Sequence, residues 1–206
     1  METKKLLISS TNAMDAEMLR KVDSFMKDEC SFEKKDNLHV RLLIEETLGM
    51  LKAMTGNYSA MLWIEAGKSN CRLHVLASSF MDINKKKELL SLSQGKNAYA
   101  KGFMAKLGDI IENGILNYEN VMALQQKYGL GYVDVASMGG NPSEIIFSWS
   151  LNQYKKSLSE GEEGEKEQTA WDELEKSIVA SIAKDVQVGV KKDHVELLID
   201  MELTGK

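Results

Sequence analysis

The stretch Leu38–Met54, LHVRLLIEETLGMLKAM, limits the fold more than any other part of this chain. Val40, Leu43, Ile44, Thr47, Leu48, Leu51 and Met54 recur at steps of three and four, which is one face of an α-helix. Ser31, Asp36 and Asn37 offer capping oxygens upstream, and Thr55-Gly56-Asn57 is a stop signal. A helix with so continuous an apolar stripe needs an apolar layer to lie on. Glu45 and Glu46 sit in its middle, and Glu46 has Leu42, Leu43 and Met50 as its neighbours one turn away. The spacing leaves two settings open: a part-buried carboxylate, with burial opposing its charge, or a solvated charge at the edge of the apolar stripe.

The partner layer follows at once. In Tyr58–Ala66, Tyr58, Ala60, Leu62 and Ile64 alternate with Ser59, Met61, Trp63 and Glu65. In Cys71–Ser79, Cys71, Leu73, Val75 and Ala77 alternate with Arg72, His74, Leu76 and Ser78. This is strand periodicity, and the five residues Ala66-Gly67-Lys68-Ser69-Asn70 have hairpin chemistry. Both faces carry apolar residues, so the hairpin is expected inside a sheet rather than at its edge. Upstream, Lys5–Ser9 reads as a short strand and residues 14–29 as a helix with Met14, Met18, Val22, Phe25 and Met26 on its buried side.

Downstream, residues 80–128 read as mostly helical, with Tyr99, Phe103, Met104, Leu107, Ile110, Ile111 and Ile115 spaced along one helix. Val133–Val135 and Ile145–Leu151 read as strands. Lys155–Gln168 holds five glutamates and two glycines and reads as an exposed acidic loop. Thr169 opens a capping-box variant for a helix with Trp171, Leu174, Ile178 and Ile182 buried. Gln187–Val190 and His194–Leu203 close the chain as a hairpin, with Val195, Leu197, Ile199, Met201 and Leu203 inward. No internal repeat is legible. The expected organisation is a core over 1–154, the acidic loop over 155–168, and a helix plus hairpin over 169–206 extending the same domain. The fold class is α/β, as a two-layer α+β sandwich with a mixed, largely antiparallel sheet covered by helices.

Composition excludes several functions. With 206 residues, 43% hydrophobic and 28% charged, the chain suits one globular domain. A net charge of −5 provides no broad cationic field for nucleic acid or anionic lipid. No apolar run approaches the ~18 residues of a membrane span, and the first residues lack a signal-peptide core, so the expected location is the cytoplasm. Cys30 and Cys71 read as reduced packing thiols. His39, His74 and His194 lack ligand spacing, so no metal site is expected. No G-x-S-x-G elbow, Walker sequence or G-x-G-x-x-G is present.

The order strand, helix, carboxylate-bearing helix, long hairpin resembles the histidine-kinase-like ATPase fold, in the branch of anti-sigma factors and related serine kinases. The resemblance spans about residues 5–80 and rests on Glu45-Glu46-Thr47-Leu48-Gly49-Met50 and the element order. It implies a catalytic role for Glu46 in orienting or deprotonating a nucleophile. In the family, an asparagine one turn later ligates magnesium, and an aspartate followed by glycine reads adenine. Here Met50 stands at the asparagine, and a thioether is a poor ligand for a hard cation. Ser79 stands at the aspartate and Met81 at its glycine, with Asp82 as a displaced substitute. The resemblance thus implies a degenerate nucleotide site and a regulatory or interaction protein that requires no cofactor, with a partner protein or second copy as its target. Two alternatives follow. One is an active ATP- and magnesium-dependent serine kinase using Glu46 and Asp82; the other is a small-molecule sensor using the vestigial pocket. Of the twelve methionines, Met50 and Met81 are expected to plug that pocket.

Overall fold

The computed structural model describes residues 2–10, 16–55, 58–78, 145–160, 165–191 and 194–204. The described strands are β1 (Leu6–Ser10), β2 (Tyr58–Ala66), β3 (Asn70–Ser78), β4 (Ile145–Ser150), β5 (Ala183–Lys191) and β6 (His194–Glu202). The described helices are α1 (Ala16–Glu29), α2 (Lys34–Thr55), α3 (Leu151–Glu160), α4 (Glu165–Glu175) and α5 (Ile178–Ile182). The six strands form one sheet in the order β1-β2-β3-β6-β5-β4, and every described pairing is antiparallel. The helices touch in the succession α1–α2–α5–α4–α3 and so make a single layer. The α+β sandwich expected from the alternating strands is what forms.

Register explains the core. Leu62, Val75, Leu197, Val188 and Trp149 stand opposite one another in a row across five strands, and all are buried. Against this face α2 packs Val40, Leu43, Ile44, Thr47, Leu48 and Leu51, six of the seven positions on its predicted stripe; the Met54 side chain lies outside the described residues. Val22, Phe25 and Met26 of α1 are buried as expected. At the hairpin between β2 and β3, the Gly67 amide donates to the Asn70 carbonyl at 2.8 Å. A Cβ on Gly67 would meet Asn70 Oδ1, the tip of an exposed side chain that can swing aside.

Helix α2 starts at Lys34, four residues ahead of the expected boundary. Asp36 is therefore inside the first turn, not at the cap. It is buried and accepts from the Thr204 amide (3.2 Å) and hydroxyl (2.9 Å), tying the chain just after β6 to the helix start. An acidic group there also complements the positive end of the helix.

The second correction concerns the acidic stretch 155–168. Lys155–Glu160 lies in α3 and Glu165–Gln168 in α4; residues 161–164 lie outside the described set. Its glutamates and lysines are good helix formers, with Lys156 and Glu160 paired at i,i+4 (3.7 Å). Leu151 and Tyr154 anchor α3 to the core. Thr169 accordingly lies within α4 rather than capping it. That helix ends at Glu175, and Ser177 recaps the chain by accepting from the Ala180 amide at 3.2 Å. The restart shifts the helical phase, so Val179 and Ala180 are buried while Ile178 is 46% exposed. Segment 169–206 joins the main sheet through β6 against β3. The expectations for 80–144, including the strand 133–135, lie outside the described residues.

The strand order contains a symmetry absent from the sequence. β3 and β6 cross with His74 opposite Leu198 at their midpoints. Half a turn about that point lays β3 on β6 and β2 on β5, with Leu62 over Val186 and Trp63 over Gln187. The described residues thus form two strand–helices–hairpin units joined edge to edge through their last strands. The symmetry stops at the outer strands. β1 pairs with the first half of β2, at Tyr58–Leu62, whereas β4 pairs with the second half of β5, at Gln187–Lys191.

Candidate functional site

Glu46 lies on α2 and is half-buried, the first of its two expected settings. Met50, one turn on, is 6% exposed and belongs to the hydrophobic core. Ser79, Met81 and Asp82 lie outside the described residues. Of the five positions drawn from the family resemblance, the structure therefore places two, a part-buried carboxylate and a core thioether on one helix.

The functional groups that the fold gathers lie elsewhere, on the sheet face opposite the core. Alternation sends Met61, Trp63 and Glu65 of β2 to that side, with Arg72, His74 and Leu76 of β3 and Glu196, Leu198 and Asp200 of β6. The Trp63 and His74 rings stack at 4.5 Å and 12° across the β2–β3 pair, and Lys5 Nζ stands 4.8 Å from the indole centroid. His74 Nε2 is 3.3 Å from Glu65 Oε1, a close contact that lacks the alignment of a hydrogen bond. Burial pushes the His74 pKa down, against the pull of Glu65. The imidazole is held neutral near neutral pH.

Arg72 donates to both oxygens of Asp200, at 2.6 and 3.0 Å, a bidentate pair across β3 and β6. This hydrogen bonding raises the Arg72 pKa, and the Glu65 and Asp185 charges add to it. A void of ≈ 40 Å³ lies beside the stack, lined by Trp63, His74, Leu76, Glu196 and Leu198.

Asp185 forms a second polar centre where β4 turns into α3. It is buried, and its carboxylate accepts from Ser150 Oγ (3.1 Å), the Asn152 amide (3.0 Å), the Val186 amide (2.9 Å) and Gln187 Nε2 (3.1 Å). The Gln153 amide donates in turn to Ser150 Oγ at 3.4 Å. This network uses the carboxylate to close the start of α3, a structural duty. Register slips between Ala183 and Asp185, and that irregularity aims the carboxylate at the junction.

On the helical layer, α1 and the first turns of α2 frame a groove of ≈ 410 Å³. Asp23, Met26 and Lys27 line one wall, and Lys34, Asn37, Leu38 and Arg41 the other. Arg41 spans it, 3.1 Å from Asp23 and 2.7 Å from Glu45. Leu38 is 54% exposed.

The sequence reading missed the Trp63–His74 stack, the Arg72–Asp200 pair and this groove. The stack was accessible in principle, since two opposed aromatic rings at matched hairpin register share a face. The other two need the β3–β6 pairing and the α1–α2 angle, which no local pattern encodes. Among the described residues no group of three or more potential metal ligands clusters, and no helix is long and apolar enough to cross a membrane. No family model, no curated protein and no solved structure matches this chain.

Proposed function

We propose that this chain is a cytoplasmic regulatory interaction module that works without hydrolysing ATP, with a protein partner or a second copy as its target. The observation that carries this reading is Met50. Its side chain is packed into the core at 6% exposure, at the helical position where the resembled ATPases present an oxygen to magnesium. A buried thioether neither faces phosphates nor binds a hard cation. The α+β scaffold is then kept for its surfaces.

The test is thermal unfolding with ATP and magnesium. Ligand at a hundred times its dissociation constant stabilises a fold by about 2.7 kcal/mol, so even weak specific binding registers. The expected result is an unchanged transition. A magnesium-dependent rise that vanishes in Glu46→Ala would replace this reading with the ATP-binding serine kinase, because the half-buried Glu46 is the one described residue matching that family's base.

A further inference from the structure

The groove between α1 and α2 combines an apolar floor with unspent positive charge. Met26 at its base is 6% exposed, while Leu38 on the opposite wall is 54% exposed and so ready to lose solvent on contact. Arg41 is already held by Asp23 and Glu45, which stiffens the wall and more than offsets its charge. Lys27 and Lys34 are exposed, one on each helix, and neither has an ion-pair partner among the described residues. Two uncompensated cations flanking apolar side chains stand out in a chain of net charge −5. The extra first turn of α2, Lys34–Asn37, supplies Lys34 and Asn37 to the far wall.

We propose that this groove receives one amphipathic helix of a partner protein, whose apolar ridge covers Met26 and Leu38 and whose flanking carboxylates meet Lys27 and Lys34. A volume of ≈ 410 Å³ admits a few large side chains at i, i+4 spacing, which is how an amphipathic helix docks. Apolar contact supplies the affinity, and the rim lysines select charge and speed encounter. Neither an exposed leucine nor rim lysines are needed for this fold to stand. The inference rests on the interaction reading above and names its partner's chemistry.

The probe is a labelled synthetic helix with leucines at i, i+4 and i+7 flanked by glutamates, followed by fluorescence anisotropy; a control helix carries lysines for the glutamates. The acidic helix is expected to bind and the basic helix to fail. Leu38→Asp should weaken binding about tenfold or more, as for a buried anchor. The double variant Lys27→Glu, Lys34→Glu should weaken the acidic helix and admit the basic one. Circular dichroism of each variant is expected to match the parent. Failure of the acidic helix to bind, indifference to Leu38→Asp, or equal binding of both helices overturns the proposal. Self-association in sedimentation that Leu38→Asp abolishes overturns it too, assigning the groove to a second copy. An ATP-induced thermal shift would sink the interaction reading while leaving the peptide result untouched, so the two failures are separable.

Discussion

β1–α1–α2–β2–β3 and β4–α3–α4–α5–β5–β6 run through the same order of strand, helical cover and hairpin, and they meet across a pseudo-dyad at His74 and Leu198. The first half covers its strands with helices of 14 and 22 residues; the second uses helices of 10, 11 and 5. On the core side the two halves are interchangeable. Leu73 and Leu197, Val75 and Ile199, Ala77 and Met201 take equivalent places, and all are buried. On the opposite face they part company. Arg72 takes the place that Glu196 holds in the other half, Trp63 that of Gln187, and Met61 that of Asp185. A shared core constrains residue class by burial, whereas the half-exposed face tolerates divergence in charge and so is free to specialise.

The largest expected effect tests whether the halves fold as one. Trp149→Ala in the second half should cost about 3–5 kcal/mol and Leu62→Ala in the first about 2–5 kcal/mol, since both leave cavities in one continuous row. Each should shift a single urea transition seen alike by tryptophan fluorescence and far-ultraviolet dichroism. Two resolved transitions, each moved by one variant alone, would break the comparison into separate domains.

A medium effect belongs to the second half only. Asp185→Ala strands the buried Ser150 hydroxyl and Val186 amide, besides the part-buried Asn152 and Gln187 donors, and should cost about 3 kcal/mol. Hydrogen exchange should quicken at the start of α3 before it does in α1. Met61, its counterpart across the pseudo-dyad, is half-buried, and Met61→Ala should cost less. Equal losses would mean that the carboxylate network contributes no more than its volume.

The smallest effect is a pH slope confined to the first half. The folded chain depresses the His74 pKa below its ordinary value of 6.5, so the unfolded chain takes up that proton first on acidification. Stability from this site is complete above about pH 6.5 and is lost as pH falls through the folded pKa. Melting temperature should therefore decline below that pH in the parent and decline less in His74→Gln. An identical slope in the variant would remove His74 from the account. Leu198, at the equivalent place, has nothing to titrate.

Much of the fold was legible because burial writes itself into local spacing. Alternation marked β2, β3 and β6, and the three–four stripe marked α2. Misreadings arose where composition overrode periodicity. Lys155–Gln168 has loop-like charge and glycine, yet its charged residues favour helix once Leu151 and Tyr154 anchor one end. Ser177 restarted a helix that reads as continuous because a cap is one hydroxyl among many serines. For the candidate site, Glu46 and Met50 could be located on α2 and the Trp63–His74 stack was within reach of hairpin register, but the Arg72–Asp200 pair and the α1–α2 groove had no local signal.

By itself, the order of residues determined β2, β3, β6 and α2 and which side of each turns inward, because those depend on neighbours within one turn or one pleat. Only the tertiary structure decided that β3 lies beside β6, separated by more than a hundred residues of chain, and that the two halves consequently share one sheet. Pairing of distant strands depends on the closure of the whole apolar face, a property of the assembled layer that no window of sequence contains. The Arg72–Asp200 pair follows from that pairing and the groove from the angle between α1 and α2, which is why they came into view only with the fold.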